Sequence, residues 1–286
     1  MGKEIIKFTN FSFRYEGSHG YSLSNISLDI YESEIVLIAG KSGAGKTTLA
    51  RAITGLIPHF YRGIYEGEVT VKDMVVSKTP LYRLSEVVGL VRQNPENQIL
   101  MSTVERDIAF SLEFSNIGPE EMHRRVDEIL NRLGITHLRE RHVDTLSGGE
   151  LQKVALAAIL VKKPDIIILD EPSAYLSPRS VMNLKDMTKE LNREGYTLII
   201  IDHKLEYWLD IVKRVIVLNS GRLIFDGDPP SLLKKLTEDS YGLNIPLYHR
   251  IIFDLRDKCG FNWMYPDIDV EKCAETLEGL INSDRI

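Results

Sequence analysis

The chain has 286 residues, 43% of them hydrophobic and 27% charged, with a formal net charge of -6 from 35 basic and 41 acidic side chains. That apolar fraction excludes a disordered chain, and the length suggests one or two domains. The acidic balance argues against nucleic-acid binding as the main task, because binding to a phosphate backbone wants a clustered excess of Lys and Arg.

Only two cysteines occur, Cys259 and Cys273, without a CxxC and without a His at metal-ligand spacing. They read as reduced thiols of an intracellular protein. The N-terminus, MGKEIIKFTN, lacks the apolar core of a signal peptide. The longest uncharged apolar stretches, such as IVLIAG and IIIL, fall far short of the ~20 residues that cross a bilayer. The expectation is a soluble, cytoplasmic protein that docks on something else if it serves a membrane process.

In chain order, residues 5–39 read as β-rich. Phe11, Phe13 and Tyr15 alternate with polar residues, as do Ile26, Leu28 and Ile30. Ile35 to Ala39 is a continuous apolar run, the pattern of a strand buried on both faces. It passes through GKSGAGKTT into LARAITGL, a helical stretch closed by Gly55. Residues 56–92 hold turn signals and short strands, GEVTVKDMVV and VVGLVRQ among them.

From about 100 to 163 the pattern is helical. Ser102 with Glu105 has the spacing of a capping box. Pro119 suits a first helical position and Gly134 lies just past an end. Met122, Val126, Ile129, Leu130 and Leu133 form one apolar stripe between them, and a third helix runs from about Gly148. Beyond 164, DIIILD reads as a buried strand, 179–193 as a helix, YTLIIID as a strand and RVIVLNSGRLIFDG as a hairpin about Ser220-Gly221. Strands alternating with helices predict an α/β fold around a parallel sheet. Residues 229–286, with a short helix near VEKCAETLEGLI, read as a small C-terminal extension.

The phosphate chemistry starts at Gly40-Lys41-Ser42-Gly43-Ala44-Gly45-Lys46-Thr47, which fits G-x-x-x-x-G-K-[ST] between a buried strand and a helix. Glycines let the backbone curl until successive N–H groups converge on an anion at a helix N-terminus. Lys46 supplies a compact charge for β- and γ-phosphates, the Thr47 hydroxyl a hard oxygen for Mg²⁺, and Thr48 a further hydroxyl. Asp170, at the end of four aliphatics, is a candidate for the metal shell. Glu171, one residue on, is a candidate to take a proton from an attacking water. Leu146-Ser147-Gly148-Gly149-Glu150 offers a second anion site, with a hydroxyl, close backbone approach and a positive dipole end. Taken alone, it reads rather as an ordinary Ser N-cap.

The order of these motifs resembles that of ATP-binding cassette (ABC) ATPases over about residues 4–228. The resemblance implies a P-loop NTPase fold with an antiparallel β-subdomain, a helical signature subdomain at about 94–163 and the extension from 229, which would help dimerisation. It implies ATP and Mg²⁺ as cofactors. LSGG, with Ser147, Gly148 and Gly149, would bind the γ-phosphate of ATP held by the opposite subunit. Tyr15 looks like the aromatic that stacks on adenine, Gln93 like the glutamine that contacts Mg²⁺ or water, and His203 like the switch histidine at the γ-phosphate. Two departures stand out. Glu150 replaces the family's usual Gln, and Ser177 stands where SALDP has Asp. The second motivates an alternative, a regulatory ATP-binding subunit with weak hydrolysis.

No spanning segment, second motif set or long heptad arm is evident, which sets aside fused exporters, twin-cassette translation factors and coiled-coil repair proteins. A soluble DNA-linked ATPase is disfavoured by the acidic charge. QNPENQ (93–98) and GLIPHFYRG (55–63) resemble the energy-coupling factor and cobalt/nickel importer ATPases. That implies a peripheral subunit on the cytoplasmic membrane face, paired with a second ABC ATPase subunit, a heterodimer rather than a homodimer. Its other partners would be a transmembrane coupling subunit and a substrate-binding membrane subunit, serving uptake of a vitamin or metal ion. Another ABC importer is the alternative.

Overall fold

The computed structural model describes residues 2–238, 243–247, 249, 250 and 278. Cys259, Cys273, the helix expected near VEKCAETLEGLI and most of the C-terminal extension lie outside them.

Strands β1 (Glu4–Tyr15) and β2 (Leu23–Tyr31) pair antiparallel, and their alternating Phe and Ile side chains are buried as the period-two pattern requires. Then come β3 (Ile35–Ala39), α1 (Lys46–Ile53) and the short α2 (Leu56–His59). β4 (Gly63–Val71) returns to pair with β1 and with β5 (Met74–Val75), completing a four-stranded antiparallel sheet. Helix α3 (Leu81–Val87) leads into β6 (Val88–Val91). Three helices follow, α4 (Val104–Phe110), α5 (Pro119–Arg132) and α6 (Gly148–Leu160). The chain then runs through β7 (Ile166–Asp170), α7 (Pro178–Arg193), β8 (Thr197–Ile201), the hairpin β9 (Arg214–Asn219) and β10 (Arg222–Gly227), and α8 (Pro229–Glu238).

The second sheet has the order β10-β9-β3-β8-β7-β6 and is parallel except for β10. Its strands alternate between two cores. Leu37, Ile167, Ile200 and Val217 face the core shared with α4 to α8, whereas Ile38, Ile168, Ile201 and Ile216 face the one shared with α1 and the antiparallel sheet. Burial on both faces explains why these strands carry runs of aliphatics rather than alternation. The C-terminal ends of β3, β7 and β8 therefore lie side by side, with Ile201 in register with both Ile38 and Asp170.

Pro119 does open α5, and Gly134 follows its end in a left-handed conformation. Two expectations are corrected. The capping box at Ser102 does not form: Thr103 is the N-cap of α4 and makes no side-chain cap bond. The Ser102 carbonyl instead accepts from Val143 N–H, so the helix starts one residue later and Glu105 falls off the N3 position. Its carboxylate lies 3.5 Å from Arg139. The segment expected to hold only turns and short strands also contains α3, a helix too short, with only Leu84 buried, to show a helical period.

Candidate functional site

The loop Gly40–Gly45 leaves β3 and enters α1 at Lys46. Gly40, Gly43 and Gly45 all have positive φ, and at two of them a Cβ would also collide with backbone. Gly40 has φ +151° and a Cβ there would come within 2.4 Å of the Leu218 carbonyl oxygen; Gly45 has φ +107° and a Cβ would meet the Ser22 carbonyl oxygen at 2.6 Å. The loop is interlocked with distant segments. Gly221 N–H donates to the Ala44 carbonyl at 3.0 Å, and Ser24 N–H donates to the Gly221 carbonyl at 2.8 Å.

Lys46 is buried and folds back over the loop. Its Nζ donates to the carbonyls of Gly40 at 2.8 Å and Lys41 at 3.0 Å, and lies 3.8 Å from Glu171 Oε1. Burial pushes the ammonium pKa down, while Glu171, Asp170 and Asp202 pull it up. At the end of β7, Asp170 Oδ1 accepts from the Thr47 hydroxyl at 3.5 Å, and burial raises its pKa against the pull of Thr47 and Lys46. Thr47 and Asp170 present hard oxygens to one point, the donor chemistry that suits Mg²⁺. A buried carboxylate held above its usual pKa gains most from such a cation.

Glu171 sits in the left-handed region, φ +47°, with its N–H donating to the Ile201 carbonyl at 2.7 Å. Such a backbone costs about 1–3 kcal/mol for a residue other than glycine, and it aims the carboxylate back toward Lys46. Glu171 Oε2 accepts from Gln93 Nε2 at 2.7 Å. Gln93 thus meets the candidate base, not the Thr47–Asp170 pair.

Tyr15 is half-buried at the end of β1, edge-on to Phe13 and Tyr61. Its hydroxyl accepts from Arg51 Nη1 at 2.8 Å and lies 3.3 Å from the Thr48 hydroxyl. The Thr48 hydroxyl accordingly meets Tyr15, whereas that of its neighbour Thr47 meets Asp170. Arg51 lies 4.3 Å from the centre of the Tyr61 ring. His203 follows β8 with its side chain 49% exposed, and its N–H donates to Asp202 Oδ1 at 2.8 Å.

Ser147, Gly148 and Gly149 open a different helix, α6, and Gly148 lines a pocket with Gln93, Pro172 and Tyr175. Ser147 is the N-cap of a complete capping box: its N–H and hydroxyl both donate to Glu150 Oε2, at 2.8 and 2.7 Å. These donors, with Arg141 3.6 Å away, hold the Glu150 pKa down. A Cβ on Gly148 would come 3.4 Å from the Tyr175 carbonyl, and one on Gly149 would come 3.2 Å from Ser180 Oγ. The segment that carries Ser177 is therefore packed under the glycines. Ser177 itself caps α7, its hydroxyl accepting from Ser180 N–H at 3.2 Å.

Arg51, Tyr61 and Asp202 belong to the site and were not picked out from the sequence. Asp202 had a signal, since it ends an aliphatic run just as Asp170 does. Arg51 and Tyr61 had none, because only the fold brings them to Tyr15.

Residues 23–174 match the family model described as ABC transporter. An ABC transporter ATP-binding protein of Treponema denticola is 40% identical over 224 residues, covering 78% of this chain and 46% of the relative. A Bacillus subtilis ATP-binding protein named for HMP/thiamine import, YkoD, is 39% identical over 251 residues, covering 85% and 45%. The chain thus spans a little under half the length of these two relatives. Among solved structures, cbiO1 of Clostridium perfringens, described as part of the ABC transporter complex cbiONQ, superposes with a TM-score of 0.72 at 29% identity, covering 83% of this chain and 96% of that one. The ATP-binding cassette MJ0796, a dimer bound to ADP and Pi, superposes with a TM-score of 0.69 at 26% identity, covering 79% and 99%.

Proposed function

Because the chain belongs to the ABC transporter family, with the P-loop NTPase fold of its ATPase domains, we propose that it binds and hydrolyses ATP as one member of an ATPase pair that energises uptake of a micronutrient. The observation that carries this reading is that the phosphate loop and the Ser147 turn open different helices, α1 and α6, and share no hydrogen bond among the described residues. Lys46, Glu171 and Gln93 are gathered at the strand ends, while Ser147 opens a different helix packed on 175–180. A nucleotide bound by the loop needs a second chain to bring it a Ser147. In this reading two chains face head to tail, each completing the other's site.

The loop N–H groups and the start of α1 hold the triphosphate, and Lys46 leaves the Gly40 and Lys41 carbonyls for its terminal oxygens. Tyr15 offers its ring to the base. Glu171 takes a proton from a water whose oxygen bonds to the γ-phosphorus as the bond to the β,γ-bridging oxygen breaks, leaving ADP and phosphate. His203 contacts the γ-phosphate. Thr47 and Asp170 would hold Mg²⁺, which supplies charge to offset that developing on the phosphate oxygens, while Gln93 stays on the Glu171 carboxylate.

Import through an energy-coupling type of complex is supported by the names of YkoD and of cbiO1's complex. The surface assigned to the membrane partner in this reading is the groove that the chain reaches a few residues after Gln93. Leu81, Leu90, Leu100, Phe110, Phe114 and Ile159 line an apolar groove of about 440 Å³. Such a chain would sit peripherally on the cytoplasmic face of the membrane; among the described residues no helix is long and apolar enough to cross it. A heterodimer is favoured by Ser177, since a complementary subunit can supply the Asp that this chain lacks. The same residue motivates the alternative of a regulatory subunit that closes on ATP and barely hydrolyses it.

Sedimentation with a non-hydrolysable ATP analogue tests the pairing. The chain with its neighbour-encoded partner should associate with the analogue, and Ser147→Arg should abolish that association. Association independent of nucleotide and of Ser147 would overturn the shared-site reading. Brisk ATP hydrolysis by this chain alone would overturn the regulatory alternative.

A further inference from the structure

Asp202 is a buried acid that the mechanism leaves unused. It is 1% exposed, and its carboxylate accepts three hydrogen bonds. Oδ1 takes the backbone N–H groups of His203 at 2.8 Å and Lys204 at 3.1 Å; Oδ2 takes the indole N–H of the fully buried Trp208 at 3.0 Å. Three donors satisfy the hydrogen-bonding capacity that burial takes from water. The Asp202 N–H in turn donates to the Ile38 carbonyl at 3.2 Å, one residue before the end of the strand that feeds the phosphate loop. Lys204 Nζ, just beyond, reaches the Ser173 carbonyl at 3.4 Å, on the segment that follows Glu171. Asp202 also adds its field to that of Asp170 and Glu171 at Lys46.

A turn after a strand has no sheet partner to fix it. Here the fixing is done by one side chain, which spans the backbone on both sides of the His203 carbonyl-to-amide link and anchors it to an immobile indole. We propose that Asp202, held by Trp208, is a positioning residue that fixes His203 against the strand carrying the phosphate loop, so that the imidazole meets the γ-phosphate without a search. The proposal rests on the reading of His203 given above.

Asp202→Asn tests it in the assembled ATPase pair. Asn can accept from the two backbone N–H groups, but its amide then faces the Trp208 indole donor to donor. The turn loosens while the side-chain size is kept. A loosened catalytic geometry of this kind is expected to lower kcat by roughly 10- to 100-fold, with KM changed by less than about twofold. Replacing Trp208 by Phe in the same chain removes the opposed donor and is expected to restore most of kcat. The deciding measurement is the same substitution in a His203→Ala background. A residue that acts only through His203 has nothing further to lose there, so kcat should fall by less than about twofold relative to His203→Ala alone. Wild-type kcat in Asp202→Asn, or an equal fall in both backgrounds, would overturn the proposal and leave Asp202 as fold support. Should Asp202→Asn not fold, Trp208→Phe alone serves, with a loss of roughly threefold that must likewise vanish in the His203→Ala background. Undiminished turnover in His203→Ala itself would instead defeat the switch reading of His203.

Discussion

Glu171 shows at a single residue how the site is assembled. Its left-handed backbone sends the side chain across the loop, where Gln93 holds one oxygen and Lys46 approaches the other. Glu171→Gln keeps the size and can keep both neighbours, but removes the proton acceptor. Turnover is expected to fall by roughly 10²–10⁴ with ATP binding intact, measured as single-turnover hydrolysis beside equilibrium nucleotide binding. Near-normal hydrolysis in that variant would remove Glu171 as the base. Lys46 was legible in the sequence through the spacing of G-x-x-x-x-G-K-[ST], and Asp170 through its place at the end of four aliphatics downstream of that loop. The interactions around Tyr15 were not. Arg51 and Thr48 sit on α1 and Tyr61 lies after α2, and only the pairing of β1 with β4 brings them together.

At the scale of elements, the segment between β6 and α4 is the one that joins Gln93 to the apolar groove, and Asp107 organises it. This buried carboxylate on α4 accepts the N–H groups of Leu100 at 2.8 Å and Met101 at 3.1 Å. Asp107→Ala leaves both donors without their acceptor and is expected to cost about 1–3 kcal/mol in chemical denaturation. Burial raises the Asp107 pKa more than the two N–H donors lower it. The folded state therefore favours the protonated form. The group's stabilising contribution is present below the ordinary carboxylate pKa and is lost as pH rises through the raised value. Asp107→Asn, which keeps an acceptor and discards the charge, should match or exceed the parent's melting temperature at pH 7 and lose that advantage at pH 3. A pH-independent difference between the two proteins would contradict this assignment. Here the sequence misled, for Ser102–Glu105 has the spacing of a cap. What decides is the bond from Val143 to the Ser102 carbonyl, a contact between segments that no local pattern encodes. The long aliphatic strands, by contrast, were legible because burial on both faces writes itself into every position.

Across the whole molecule, the six-stranded sheet separates two cores, and the side chains of the candidate site lie at the C-terminal ends of its strands. The groove lined by Leu100, Phe110 and Phe114 opens on another face, with Leu100 70% and Phe114 83% exposed. Large apolar groups so exposed mark a contact surface. Phe114→Asp places a charge at its centre and is expected to reduce co-purification of the membrane partner by about tenfold or more. Retention of the full complex by that variant would move the docking surface elsewhere. Cargo was not legible, since in the proposed reading a separate membrane subunit selects it.

The mutual lock of Ser22, Gly45 and Gly221 carries a last consequence. Three stretches from the beginning, the first third and the end of the described chain close on one another with no room for a methyl group. The cradle is thus finished only when the late hairpin arrives. A ribosome-bound fragment ending before β9 would possess every residue of the loop and still hold no nucleotide, so ATP capture would serve as a clock for completed folding.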